Sequence, residues 1–223
     1  MGYWLSDSFL SVFSKGTLLS NIADAKQGLA TADNNRFTRL WYEVNRNNLY
    51  LTATDYIQAM YTGIKWFPYN KGGEFRRWYG NNDYVVNWKN NGRELSEFKN
   101  SVIRNPNYYF RTSITWSKIG TGKISFRYKP CGHIFDVAGT SIFTNDNDLQ
   151  MYLAGLLNTN TVQYLLRVMS PTLNYEVGQI SNIPIINIHK EYVIKKVQEN
   201  ISLSKKDWDS FETSWNFKKH PLI

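Results

Sequence analysis

The sequence has one cysteine, Cys131, in 223 residues, so no internal disulfide can form and a reducing, cytoplasmic setting is expected. It has three histidines, His133, His189 and His220, far apart and without Cys, His or Asp partners at ligand spacing, which excludes a metal centre as the organising feature. No apolar run approaches the roughly 20 residues of a membrane helix, so no membrane partner is expected. The start, MGYWLSDSFL, lacks the basic region and long apolar segment of a secretory signal. Catalytic signatures are missing as well. There is no G-x-S-x-G elbow, and Gly120-Thr121-Gly122-Lys123 lacks the spacing and the Ser or Thr of a phosphate-binding loop. Asn105-Pro106-Asn107-Tyr108 approaches the Asn-Pro-Pro-Tyr segment with which adenine methyltransferases hold a flipped base. Its third residue is Asn, however, and no glycine-rich turn for S-adenosylmethionine accompanies it. The chain reads as a binding module with no catalytic residues and no cofactor of its own.

Acidic residues are also scarce, and unevenly so. Formal net charge is +8; residues 1–130 hold 18 Lys and Arg against 9 Asp and Glu, whereas residues 131–223 hold 8 against 9. A local excess of this kind attracts polyanions, although a solvated basic surface that aids solubility gives the same count. The densest basic stretch is Tyr69 to Trp88, YNKGGEFRRWYGNNDYVVNW. It sets Lys71, Arg76 and Arg77 beside Trp78 and Tyr79 behind Gly72-Gly73. Cations, rings and glycines together suit a phosphodiester backbone and base faces. In a chain that is 16% aromatic they also suit a rigid, internally packed loop. On that second view Gly72-Gly73 and Trp78 fix the loop's shape, and Lys71, Arg76, Arg77 and Asn81 remain for contact.

Along the chain, Ser6 and Asp7 offer a cap for a short helix that stops at Gly16, with Met1-Gly2 preceding it without pattern. Lys26 to Phe37, KQGLATADNNRF, reads as a polar loop between strands, in which Asn34, Asn35 and Arg36 have the side chains for base edges or simply for a turn. Residues 39–44, 49–54, 64–69 and 83–88 read as strands, with Arg46-Asn47-Asn48 as a turn. Asn90-Asn91-Gly92 is a turn signal, followed by a helix over 94–102 with Leu95, Phe98 and Val102 on one side. From Tyr108 to Ile142 three strands are expected, joined at Gly120-Thr121-Gly122 and Pro130-Cys131-Gly132. Lys118, Lys123, Arg127 and Lys129 flank the second of these joints, as phosphate contacts or as edge-strand charges. After Asp148 helices take over: two in tandem broken near Asn158 and ended before Pro171, an extended segment from Thr172 to Ile188 containing Pro184, and a helix over 191–203. Trp208, Phe211, Trp215 and Phe217 follow at roughly helical spacing, too aromatic for a free tail. The fold expected is α+β: mainly antiparallel, twisted β structure carrying basic loops over residues 1–147, flanked by supporting C-terminal helices over 148–223, in a single unit.

Six segments, KQGLATADNNRF, KWFPYNKGGEFRRWYGN with VVNW after it, YYFRTSITWSKIGTGKISFRY, FDVAGTSIF, LAGLLNT with PTLNYEVGQISNIPI, and DWDSFETSWNFKKHPL, resemble, in order, the C-terminal part of the PglX family. These are adenine-specific DNA methyltransferases of BREX phage-defence systems, similar in layout to type IIG restriction-modification enzymes. The resemblance covers nearly the whole chain. It implies a target-recognition-domain-like fold, truncated before a further C-terminal region, and a role as the sequence-specific double-stranded DNA reader of such an enzyme. It further implies that S-adenosylmethionine belongs to the parent enzyme alone. The methyltransferase domain of the same parent chain, and other BREX subunits, are then the expected partners. Ala32 departs from the family, which commonly has Gly there, and this argues against a tight backbone turn at that point. On residue type and position, Lys71, Arg76, Arg77, Lys118, Lys123 and Arg127 are expected phosphate or base contacts, and Asn34, Asn35, Arg36, Tyr79 and Asn81 expected base readers. The competing expectations are a module that docks other defence subunits through Trp208 to Trp215, and a single-strand or RNA binder that stacks bases on its rings.

Overall fold

The structure, a computed structural model, describes residues 6–120, 122–169, 172, 174–186 and 189–223. Met1-Gly2, Thr121, Pro171 and the Ile188 end of the extended segment lie outside the described residues. Helix α1 (Asp7–Lys15) is capped as its sequence predicts, the Ser6 hydroxyl accepting from the Phe9 N–H at 3.3 Å. Strands β1 (Thr17–Leu18) and β2 (Asp24–Lys26) follow. The expected polar loop then closes in a helical turn, α2 (Asn34–Phe37), because Asp33 accepts from the Arg36 N–H at 3.0 Å and caps it. Ala32 takes φ 60°, so the tight left-handed turn is present without glycine. An L-residue in that region costs about 1–2 kcal/mol.

Strand β3 (Thr38–Leu40) is shorter than expected and gives way to a 3₁₀ turn at Trp41–Glu43. The strand expected over 49–54 reduces to one parallel bridge between Leu49 and Trp66 of β4 (Trp66–Asn70), in which the Tyr50 N–H donates to the Trp66 carbonyl at 3.0 Å. The next bond of a parallel ladder would come from the N–H of residue 68, and Pro68 has none. Asp55 instead starts a short helix, α3 (Tyr56–Tyr61), by accepting from the Gln58 N–H at 2.8 Å. After β5 (Tyr84–Asn87), helix α4 (Lys89–Glu97) opens on left-handed Asn90, Asn91 and Gly92, with φ of 53°, 55° and 72°. That is the turn their sequence predicts. The helix ends before Val102, which is 41% exposed and bridges Ala30, while Leu95 is buried.

Strands β6 (Ser113–Trp116) and β7 (Phe126–Lys129) form the expected antiparallel hairpin. The third expected strand divides between two sheets. Its first part, β8 (Ile134–Phe135), runs parallel to β4, and its second, β9 (Ser141–Phe143), pairs antiparallel with β2 and β6. The sheets are therefore ordered β2-β9-β6-β7 and β3-β5-β4-β8. The crossing is held by polar side chains that neither sheet uses in its ladder. Asp136 accepts from the Ala138 N–H at 2.7 Å and from the Tyr69 hydroxyl at 2.5 Å. The Asn70 amide donates to Thr115 Oγ1 at 2.6 Å and to the Gly139 carbonyl at 2.8 Å.

Helices α5 (Asn147–Leu157) and α6 (Asn160–Met169) break at Asn158, as expected. The Asn158 side chain both accepts from the Phe126 N–H at 3.1 Å and donates to the Phe126 carbonyl at 2.9 Å, which hooks the helices onto β7. The extended segment contains a helix, α7 (Val177–Ser181), and an edge strand, β10 (Pro184–Ile185), antiparallel to β1. The last helix, α8 (Lys190–Trp208), packs on α5 and runs past the expected end at residue 203. One core, with Trp116, Phe126, Leu153, Leu166 and Val197, lies between the first sheet and these helices. A second, with Phe37, Phe67, Trp88, Phe110 and Phe135, lies on the other sheet. The architecture is α+β, and every strand ladder but β4 with β8 is antiparallel among the described residues.

A Cβ at Gly28 would sit 1.8 Å from the Phe135 carbonyl oxygen, which itself receives the Leu29 N–H at 2.8 Å. Gly28→Ala is therefore expected to cost about 3 kcal/mol in urea denaturation, while Gly120→Ala, with nothing within 4 Å of its Cβ, stays within about 0.5 kcal/mol of the parent.

Candidate nucleic-acid interface

The basic loop joins β4 to β5 across residues 71–83 and lies along β7. Trp78 at φ 72° makes a parallel bridge to Arg127, its N–H donating to the Phe126 carbonyl at 3.0 Å and its carbonyl accepting from the Tyr128 N–H at 2.8 Å. The loop's shape is set from beneath. Lys129 Nζ donates to the Gly80 and Asn81 carbonyls, both at 2.9 Å, and to Asn82 Oδ1. The Arg127 guanidinium donates to the Arg76 carbonyl at 3.3 Å, Ser125 Oγ at 3.2 Å and Ser117 Oγ at 3.1 Å. Ser117 in turn donates to the Gly73 carbonyl at 2.7 Å, and the Asn81 amide to the Glu74 carbonyl at 3.0 Å. The glycines serve the protein's own backbone: a Cβ at Gly72 would lie 2.8 Å from the Ala138 carbonyl oxygen.

These bonds correct two of the expected contacts. Arg127 is 0% exposed and Tyr79 4%, so neither offers a surface to a duplex. Burial lowers the Arg127 pKa to about 10, and Arg76 adds to that, while burial raises the Tyr79 hydroxyl to about 12. Lys129, 1% exposed, is likewise interior rather than an edge charge. Its pKa is pulled well below the usual lysine value, first by burial and then by Arg127, with Asp83 opposing.

The remaining residues of this group lie around the loop. Lys71 is half-buried over the Tyr84 ring at 5.3 Å, and burial lowers its pKa. Arg76 pairs with Asp207 at 3.2 Å and lies 5.0 Å from the Trp208 ring centre. Arg77 lies over Phe75 at 5.5 Å. Lys118 pairs with Glu176 at 3.0 Å, and Lys123 is exposed beside a shallow cleft with Phe75 and Ile119. Asn34, Asn35 and Arg36 are not part of this group. They sit toward the far end of β5, where Arg36 donates from Nε and Nη2 to Glu94 Oε1 at 3.0 and 2.8 Å and Thr31 donates to Asn34 at 2.8 Å. Arg36 is the main cause of the lowered Glu94 pKa. Asn35 is exposed.

The C-terminal segment completes the face and was not foreseen as part of it. Helix α8 ends at Trp208, and the chain turns back rather than continuing helically, with the Trp41 indole donating to the Thr213 carbonyl at 2.9 Å and Trp215 lying 6.0 Å from the His133 ring. Lys205, Lys206, Lys218 and Lys219 thereby line one open cleft of about 700 Å³ with Trp215 and Phe217. Lys205 also lies 5.6 Å from the Tyr79 ring and pairs with Asp209. The paired lysines beside tryptophan were the available signal, hidden by a near-zero charge over residues 131–223. Trp208 is only 7% exposed, which leaves little of it for docking another subunit.

His133, buried beside this cleft, gives a pH test. Its pKa falls from 6.5 to about 3, by burial first and by Lys129 second. The folded chain thus stays neutral there while the unfolded chain takes up a proton below pH 6.5, so stability is lost as pH falls from 6.5 towards 3. The expected slope is up to about 1.4 kcal/mol per pH unit within that window. His133→Phe is expected to be about 1 kcal/mol less stable at pH 7, having lost the 3.2 Å contact to the Pro130 carbonyl, and to show a flatter decline in urea titrations between pH 6.5 and 4.5.

No protein-family model matches the chain. Over its whole length it is 39% identical to part of the adenine-specific methyltransferase PglX of Lacticaseibacillus casei (strain Zhang), in an alignment of 232 residues. It is 37% identical, over 228 residues, to part of the adenine-specific methyltransferase BrxX of Escherichia coli O9:H4 (strain HS). The chain spans 19% and 18% of the lengths of these relatives. It is therefore homologous, from end to end, to one stretch of the adenine-specific methyltransferases PglX and BrxX.

Proposed function

We propose that this chain is the double-stranded DNA recognition segment of an adenine-specific DNA methyltransferase of a BREX phage-defence system, acting in the cytoplasm. In this reading it holds and reads the duplex, and a methyltransferase domain elsewhere in the parent chain binds S-adenosylmethionine and transfers the methyl group. The observation that carries the reading is the convergence of two basic-aromatic segments, the 71–83 loop and the lysines of residues 205–219, on neighbouring surface through the Arg76–Trp208 and Lys205–Tyr79 contacts. Lysines and arginines on a rigid face neutralise phosphates, and an arginine guanidinium among them also has the geometry for a base edge. Arg77, Lys123, Lys206, Lys218 and Lys219 are the proposed phosphate contacts, with Lys71, Arg76, Lys118 and Lys205 supporting them from within their pairs. Asn81 is held by Glu74 and shapes the loop, and Asn34, Asn35 and Arg36 form a separate edge that would meet DNA only along a long footprint. None of the described helices is long and apolar enough to cross a membrane.

Non-specific binding of this kind is expected at about 10⁻⁴ to 10⁻⁶ M and to weaken steeply with salt. Arg77→Ala combined with Lys123→Ala is expected to lower duplex affinity and flatten the salt slope by about 2. Arg36→Ala, whose partner is Glu94, is expected to leave the slope unchanged. A titration of duplex, single-stranded DNA and RNA decides the matter. Tighter binding to single strands would replace the duplex reading, and no binding to any of them at low salt would favour docking to other defence subunits.

A further inference from the structure

Away from the basic face, the second core opens into a cavity of about 300 Å³ lined by Tyr56, Trp88, Asn91, Ile103, Pro106, Asn107 and Tyr109, at the small end of the roughly 300–1,000 Å³ range of ligand sites. Trp88 and Asn91 each carry a buried polar atom without a hydrogen-bond partner among the described residues, Nε1 and Oδ1, and the buried Tyr109 hydroxyl has only the Arg104 backbone N–H beside it, which leaves its own proton to donate. Trp88 and Tyr109 are each only 3% exposed. A buried, unpaired polar group of this sort costs about 1–3 kcal/mol, and here such groups gather around one cavity, where an occupant could pair them. Their positions are fixed. Trp88 and Tyr109 pack edge to face at 5.2 Å, and Gly92 lets the backbone lie against the indole, since a Cβ there would come within 2.4 Å of it. Burial raises the Tyr109 pKa well above the usual tyrosine value, with Arg104 opposing, so the hydroxyl keeps its proton as a donor.

The chemistry of the lining selects the occupant. No Lys, Arg, Asp or Glu lines the cavity, so neither a phosphate nor a carboxylate is the group recognised. Two donors, an indole N–H and a phenol O–H, and two amide side chains, Asn91 and Asn107, are set among aromatic and apolar walls. This arrangement suits a neutral planar heterocycle that carries ring or carbonyl acceptors together with an amino donor. We infer that the cavity formed by Trp88, Asn91 and Tyr109 binds a single unstacked nucleobase. Asn105 and Tyr108, the hydrogen-bonding and stacking members of the Asn-Pro-Asn-Tyr segment, are engaged elsewhere: Asn105 donates to the Gln27 carbonyl at 2.8 Å and Tyr108 to Asp24 at 3.0 Å. The site thus takes Pro106 and Asn107 of that segment but neither of those two. It does not depend on the basic face, and the base can come from a free nucleoside or from an extrahelical position in DNA.

The test follows the Trp88 indole N–H resonance, assigned by its loss in Trp88→Phe, during titration of the whole chain with adenosine, cytidine, guanosine and thymidine. A second arm uses a duplex carrying one extrahelical 2-aminopurine whose fluorescence reports its surroundings. A saturable shift in either arm is expected. Tyr109→Phe, which removes only the hydroxyl, and Asn91→Gly, which keeps the φ of 55° accessible while removing the acceptor, are each expected to weaken it about five-fold without lowering the melting temperature. Saturation by nucleosides alone assigns a soluble ligand, and saturation by the duplex alone assigns a base in DNA. No saturable response in either arm up to about 10 mM nucleoside, far weaker than any specific site, or a response that neither variant weakens, overturns the inference. The Arg77→Ala, Lys123→Ala variant is expected to bind nucleosides as the parent does, which separates failure of this site from failure of the duplex face.

Discussion

Lys129, an ammonium with no access to water, is the point on which the basic face depends. Taking a cation out of water costs several kcal/mol even after the protein relaxes. Here the cost is offset by three acceptors, the carbonyls of Gly80 and Asn81 and the side chain of Asn82, which match the three N–H donors of the charged form. Arg127, two residues earlier on the same face of β7, does the same for the Arg76 carbonyl and two serines. The loop's inward carbonyls are thus tied to two cations, and the exposed Phe75 and the half-buried Arg77 that lies over it are fixed as a consequence. A loop ordered in advance loses less conformational freedom when it binds. The two interior charges therefore serve the surface without reaching it.

The same two residues show where sequence reading stops. In Phe126-Arg127-Tyr128-Lys129 the alternation of period two is plain, and a strand of that pattern ordinarily turns its basic side to solvent. What covers that side is a loop some 50 positions earlier, docked by Trp78, and no local feature of β7 records it. Caps and turns were legible because their causes are local. Ser6, the Asn90-Asn91-Gly92 turn and the break at Asn158 act through bonds or dihedrals within a few residues, and each is found where expected. The strand expected over 132–142 failed for a non-local reason. Its two halves belong to different sheets, and the crossing rests on Asn70 and Tyr69, side chains of another strand. Pro68 likewise ends the 49–54 pairing from across the sheet. Within Tyr69 to Trp88, residue type marks the basic side chains, yet it does not tell a cation that faces solvent from one spent on a carbonyl.

The aromatic content also takes on a different meaning once the rings are placed. Beside the loop, Tyr84 lies under Lys71, Trp208 under Arg76, Phe75 under Arg77 and Tyr79 under Lys205, at 5.0–5.6 Å in each case. A ring covered by its own cation is not free to stack on a base, whereas it does hold that cation at a fixed height and partly desolvated. Single-strand binders rely on open ring faces in series. Here Phe75, 55% exposed, is the most accessible of the four, and Tyr79 and Trp208 are nearly buried. The rings therefore act as mounts for charge, and fixed charges spread over a rigid surface match the regular phosphates of a duplex better than the mobile backbone of a single strand. On that ground the double-stranded reading is favoured over the single-stranded one, and the rings beside the lysines of the C-terminal cleft, Trp215 and Phe217, are themselves only partly exposed.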